Sequence, residues 1–201
     1  MNLPNKLTVF RMCLVPVMLA VLVIPLPLPA WAVQVIAAAV FIIASLTDMV
    51  DGKIARKRGL ITDFGKFMDP LADKVLVFSA LLGILYRYDG MTEGFADLRP
   101  VFIWAAAIVI FREMEVTSLR LVISGKDGLV VAASWLGKIK TTTQMVCISV
   151  IFLEPVLLGR FKPFGEYHVL SYVTMAVMIV MTLWSGIDYI VTYWKYIDPK
   201  Q

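Results

Sequence analysis

The sequence predicts an all-α integral membrane protein, a bundle of six transmembrane helices built as one domain over residues 1–201. Three observations carry this expectation. Of the 201 residues, 60% are apolar, and the mean hydropathy of +0.82 is far above that of a soluble domain. The apolar residues fall in long runs, several of them near the roughly 20 residues that a bilayer's hydrocarbon core requires of a helix. Lys and Arg gather at alternate ends of these runs, as membrane topology demands.

The expected spans cover residues 7–28, 31 to about 50, about 70 to 86, 100 to about 121, 129 to about 153, and 169 to about 193. The first has Lys6 and Arg11 at its front. It is long and reaches Pro25, Pro27 and Pro29 without a small-x-small cleavage site, so it reads as a retained helix and not a signal peptide. Pro16 is expected to kink it, and the three later prolines with Trp31 mark a tight interfacial turn into the second span. In the fourth span the purely apolar stretch, residues 101–111, would be roughly 16 Å long at 1.5 Å per residue, about half the hydrocarbon core. That helix must therefore continue through Arg112, Glu113, Glu115 and Arg120, whose charges face protein or a wet cavity instead of lipid. The fifth span opens on Lys138, Lys140, Thr141, Thr142, Thr143 and Gln144 before its apolar stretch. Polar groups from helices two to five can thus meet in one cavity.

Six spans put both termini on one side. With that threading, 15 of the 19 Lys and Arg residues lie on the terminal face and only Arg87, Arg99, Arg160 and Lys162 on the other. The bias places both termini and the loop after span two in the cytoplasm, in a multi-pass protein of the plasma membrane. The formal charge of +4 does not point to nucleic acid, because the basic residues abut membrane segments and no aromatic-interleaved basic stripe occurs in a soluble region. Topology and anionic lipid phosphate account for it. Cys13 and Cys147 both fall inside apolar runs and read as packing residues, His168 as an interfacial side chain, and the scattered methionines as lipid-facing or packing residues.

Acid is concentrated where it is costly. Asp48 and Asp51 are spaced three apart, Asp69 and Asp73 four apart, so on helices each pair shares one face. Four convergent carboxylates repel unless a cation sits among them. An oxygen-only donor set, with no His or Cys in the segment, suits a hard divalent ion such as Mg2+ or Mn2+ better than zinc or copper. A solvated loop between membrane helices explains the charge but not the spacing. Read as a pattern, the segment is D-x2-D-G-x2-A-R-x8-G-x3-D-x3-D, formed by Asp48, Asp51, Gly52, Ala55, Arg56, Gly65, Asp69 and Asp73.

This pattern resembles the signature of the CDP-alcohol phosphotransferase family of integral-membrane enzymes, and no fixed position departs from it. The resemblance implies that Asp48, Asp51 and Asp69 bind two divalent ions, that Asp73 also touches a metal, and that Asp73 is the general base. It implies further that Gly52, Arg56 and Thr62 contact a CDP-linked donor. At the N-terminus, Pro4-Asn5 with Thr8 and Arg11 is similar to the family's P-N-x-x-T-x-x-R opening, which assigns Asn5 and Thr8 to the cytidine or diphosphate side.

Arg112-Glu113-Met114, Arg120 and the Lys138-x-Lys140-Thr141 stretch resemble the phosphatidylglycerophosphate synthase branch, and so extend the similarity over nearly the whole chain. Taken singly each of these cations reads as a snorkelling or topology residue. Together they favour an acceptor with its own phosphate, bound by Arg112, Arg120, Lys138 and Lys140. The expected reaction is transfer of a phosphatidyl group from CDP-diacylglycerol to sn-glycerol 3-phosphate, giving phosphatidylglycerophosphate and CMP in phospholipid biosynthesis, by a homodimer as the family implies. Two alternatives stand beside it. A sister enzyme would use another acceptor, making cardiolipin, phosphatidylinositol phosphate or phosphatidylserine, and a cation transporter would use the intramembrane carboxylates as an ion path.

Overall fold

The computed structural model describes residues 2–58, 62–87, 95–127, 135–159, 161 and 167–194. Their architecture is all-helical. Six long helices follow one another: α1 (Leu3–Val23), α2 (Ala30–Arg58), α3 (Asp63–Arg87), α4 (Phe95–Asp127), α5 (Trp135–Leu158) and α6 (Val169–Tyr193). Among the described residues, four stretches are long and apolar enough to cross a membrane, namely Leu3–Val23, Ala30–Gly52, Trp135–Leu158 and Val169–Tyr193. Helices α3 and α4 are of comparable or greater length but carry more charged residues along them.

The elements begin and end where local chemistry dictates. Helix α1 starts with Pro4 in its first turn and ends before Ile24, an extended residue (φ −75°, ψ 132°) of the kind that precedes proline. It runs as one helix through Pro16. Helix α3 begins at Asp63, ahead of the third expected span, because Thr62 caps it: the Thr62 hydroxyl accepts from the Gly65 N–H at 3.1 Å. The start of α6 is held from another helix. Buried Glu154 of α5 accepts from the backbone N–H groups of Leu170 (2.8 Å) and Ser171 (2.7 Å) and from the Ser171 hydroxyl. His168, expected at an interface, is instead 2% exposed and left-handed (φ 47°), ahead of that helix start. The residues 129–134 assigned to the fifth span lie outside the described residues, as do Arg160, Lys162, Lys195 and Lys200.

Packing follows the pattern of small and large apolar residues. Helix α1 lies against α2 and α3, α5 joins α2 to α6, and α4 packs chiefly on α6. The main core interleaves alanines (Ala37, Ala44, Ala80, Ala105) with Met18, Leu22, Phe41, Leu81, Phe102 and Phe152. The small residues let helices approach where lipid supplies no hydrophobic drive. At Gly83 of α3 an added Cβ would meet the end of the Leu22 side chain, so glycine lets Leu22 lie close against α3 in its present rotamer. The outward faces keep large apolar residues such as Trp104, Phe111 and Leu121, the composition expected against acyl chains. Cys13 is exposed and Cys147 buried, and neither is in a disulfide.

Candidate active site

One face of α1 organises the site. Asn5, Thr8 and Arg11 recur at helical spacing and are all buried. Asn5 Oδ1 accepts from the Thr62 hydroxyl at 3.0 Å, and the Thr8 hydroxyl donates to Asp69 Oδ1 at 2.7 Å. Arg11, 0% exposed, pairs through Nη1 with Asp48 Oδ1 (2.8 Å) and Asp73 Oδ1, and through Nη2 with Asp51 Oδ2 (2.5 Å). The four aspartates of α2 and α3 are therefore gathered on two α1 side chains. Gly65 keeps this corner compact, since a Cβ there would sit 3.3 Å from Thr62 Oγ1, 3.4 Å from Asn5 Oδ1 and 3.7 Å from Asp69 Oδ2.

The aspartates open onto a cavity of about 1040 Å³ lined by side chains of α2 to α6. Asp48, Asp51, Asp69, Asp73 and Gly52 all reach its wall. Within the cluster the exposure is graded: side-chain accessibility is 4% for Asp51, 27% for Asp48 and 36% for Asp73, which makes Asp73 the most open of the three carboxylates on Arg11. Facing them, Arg112, Arg120, Lys138 and Lys140 line the same cavity, so the structure brings together every cation that the sequence assigned to an acceptor phosphate. They are not equivalent. Arg112 donates to Ser185 Oγ at 2.6 Å and lies 3.8 Å from Glu113, and Lys140 is ion-paired with Glu113. Arg120 and Lys138 are exposed, the Arg120 guanidinium resting 5.7 Å from the centroid of the Tyr189 ring.

The residues expected at the donor divide differently. Of Asn5, Thr8, Gly52, Arg56 and Thr62, only Gly52 is at the described cavity wall; Asn5, Thr8 and Thr62 are engaged with one another's helices, and the Arg56 side chain lies outside the described residues. Sequence reasoning overlooked three participants. Lys74 lines the cavity one residue after Asp73 but read as a topology charge. Glu113 was expected to face protein or a wet cavity but was given no partner, although its carboxylate pairs with Lys140. Arg11 was quoted in the opening motif without a role, and the signal that could have found it is an arginine one turn beyond Thr8 inside an apolar run.

The donor chemistry fits a hard divalent ion: four carboxylates, all oxygen, converge on one wall and exceed the single positive charge set among them. As the side chains stand, no three Asp, Glu, His or Cys among the described residues are placed to enclose an ion, and the Arg11 guanidinium lies against Asp48, Asp51 and Asp73.

The sequence pattern of the CDP-alcohol phosphatidyltransferases matches residues 1–184, a span that holds the whole aspartate segment and both sides of the cavity. The chain belongs to that family. Among its relatives is the CDP-diacylglycerol–glycerol-3-phosphate 3-phosphatidyltransferase of Bacillus subtilis (strain 168), 40% identical over 204 residues that cover 96% of each chain. A protein of the same name from Salmonella typhimurium (strain LT2) is 36% identical, over 94% of this chain and 93% of its own. Another from Yersinia enterocolitica is 33% identical, over 97% and 96%. The family and the four apolar helices make this a membrane protein.

Proposed function

We propose that the protein transfers the phosphatidyl group of CDP-diacylglycerol to sn-glycerol 3-phosphate, releasing CMP. The observation that carries this reading is one cavity with an aspartate wall on α2 and α3 and a cationic wall on α4 and α5. Relatives named for this reaction match end to end. Apolar residues of α2 and α5, among them Ile42, Leu46, Val146 and Val150, continue the cavity and suit the acyl chains of the donor.

In this reading Asp48, Asp51, Asp69 and Asp73 hold Mg2+ or Mn2+, two ions in all. When bound, such ions supply positive charge that offsets the diphosphate and the departing CMP. The remaining roles belong to the chain itself. Asp73, open to the cavity, takes the proton of the acceptor hydroxyl as its oxygen bonds to the β-phosphorus and the bond from that phosphorus to CMP breaks. Gly52 and Arg56 approach the donor. Arg120 and Lys138, with Lys74 beside them, receive the acceptor phosphate, while Arg112 and Lys140 are held in place by Ser185 and Glu113.

The reading includes six membrane spans in one domain over residues 1–201, α3 and α4 crossing with their charges turned to the cavity, and a homodimer in the plasma membrane with both termini and the aspartate wall on the cytoplasmic side. The test is purified protein supplied with CDP-diacylglycerol, Mg2+ or Mn2+, and separately sn-glycerol 3-phosphate, glycerol, inositol phosphate, serine or phosphatidylglycerol. Phosphatidylglycerophosphate and CMP are expected with the first acceptor alone. A different lipid product reassigns the acceptor, and metal flux across vesicles without CMP release replaces the enzyme by a transporter.

A further inference from the structure

A buried charge is costly unless paired, and Arg11 is paired in excess, one guanidinium meeting carboxylates from two helices. These partners, Asp48 and Asp51 on α2 and Asp73 on α3, would repel one another without it. The helices themselves do little to hold them together, for α2 and α3 touch each other far less than each touches α1. Thr8, one turn before Arg11, secures the remaining carboxylate, Asp69. The aspartate wall is thus assembled from α1, and the oxygens that Arg11 occupies are among those a divalent ion would need.

We propose that Arg11 is the resident counter-cation of the aspartate cluster: its guanidinium keeps Asp48, Asp51 and Asp73 converged and shares their oxygens with divalent ions, so that the two kinds of cation oppose each other's hold. The inference rests on the divalent-ion reading of the cluster. Its signature is a pair of opposite effects. Two cations that draw on the same oxygens are linked, so removing the guanidinium strengthens ion binding while it weakens the fold held by Arg11 alone. If Arg11 instead only positioned the ligands, its loss would weaken both. Arg11→Lys keeps the charge but has no planar fork, so it bridges fewer carboxylates and falls between the wild type and Arg11→Gln.

The experiment uses the full chain, purified in detergent, with Mn2+ binding followed by the spectroscopic signal of the free ion and thermal unfolding followed in chelator and in Mn2+. Arg11→Gln is expected to bind Mn2+ about tenfold more tightly, on the scale of one charge-assisted contact, and Arg11→Lys by a smaller factor in the same direction. In chelator the unfolding temperature should fall from wild type through Arg11→Lys to Arg11→Gln, and Mn2+ should narrow the gaps. If Arg11→Gln folds only with Mn2+, the proposal is supported. If it does not fold at all, Arg11→Lys decides: folded Arg11→Lys that binds Mn2+ no more tightly than wild type overturns the role given to Arg11. Wild type that binds no Mn2+ overturns the divalent-ion reading and this inference with it.

Discussion

Asp73 and Asp48 meet the same nitrogen of Arg11, yet they differ in what a neutral replacement should do. Asp73→Asn keeps the volume of the side chain and an oxygen that can still face Arg11, but it cannot take a proton. The protein should fold and insert, and lose less Mn2+ affinity than a variant with no oxygen at the position, while turnover drops by about 10²-fold or more, the scale of lost general-base catalysis. Asp48→Ala should lower turnover and ion binding together. Parallel measurement of CMP release and Mn2+ affinity separates the two, and near-normal turnover by inserted Asp73→Asn would remove it from the base role. The aspartates were legible because spacings of three and four fix a helical face without reference to anything distant. Their clamp was not, because the residues that Arg11 joins, Asp48, Asp51 and Asp73, lie far from it in sequence, the last two 40 and 62 positions away. The Glu113–Lys140 pair was hidden for the same reason, and so an internally compensated lysine looked like a free one.

At the scale of elements, the hydrophobic runs gave the order of the helices well, and the errors sit at their ends. The third span was expected from about residue 70, whereas the cap at Thr62 lets the helix begin at Asp63 and carry Pro70 inside it. The third and fourth helices are ambiguous on hydropathy alone because their polar residues are answered by other helices. Glu154 shows the same principle on α5. Its anion accepts from the first free N–H groups of α6, where the helix dipole also favours negative charge. Glu154→Ala leaves those donors without that partner and should cost about 1.5–3 kcal/mol. Glu154→Gln, which keeps one acceptor oxygen, should fall between. Thermal unfolding in detergent is the measurement, and an unchanged midpoint for Glu154→Ala would mean that α6 does not depend on this contact.

For the whole molecule, the cavity is lined by the four aspartates of α2 and α3, by cations mainly of α4 and α5 with Glu113 and Glu154 among them, and by apolar residues chiefly of α2 and α5. Two anionic substrates can then approach from different sides, and the cation wall can select the acceptor without rebuilding the donor site. The exposed members of that wall should report this most cleanly, because Arg112 and Lys140 have partners whose charges or hydroxyls would be stranded by substitution. Arg120→Gln and Lys138→Gln should each raise the KM for sn-glycerol 3-phosphate by about tenfold, the effect of one charge-assisted contact, and change the KM for CDP-diacylglycerol much less. Lys140→Gln should do more harm, including to stability, since it leaves Glu113 with only the longer contact to Arg112. Replacing both members, as Lys140→Gln with Glu113→Gln, should recover part of the lost stability, which a simple loss of substrate contact would not do. Separate substrate titrations at fixed Mn2+, on variants shown to be folded, give the answer. Equal shifts for both substrates would mean that the cavity is not divided in this way, and efficient use of unphosphorylated glycerol by wild type would mean that its cation wall serves something other than an acceptor phosphate.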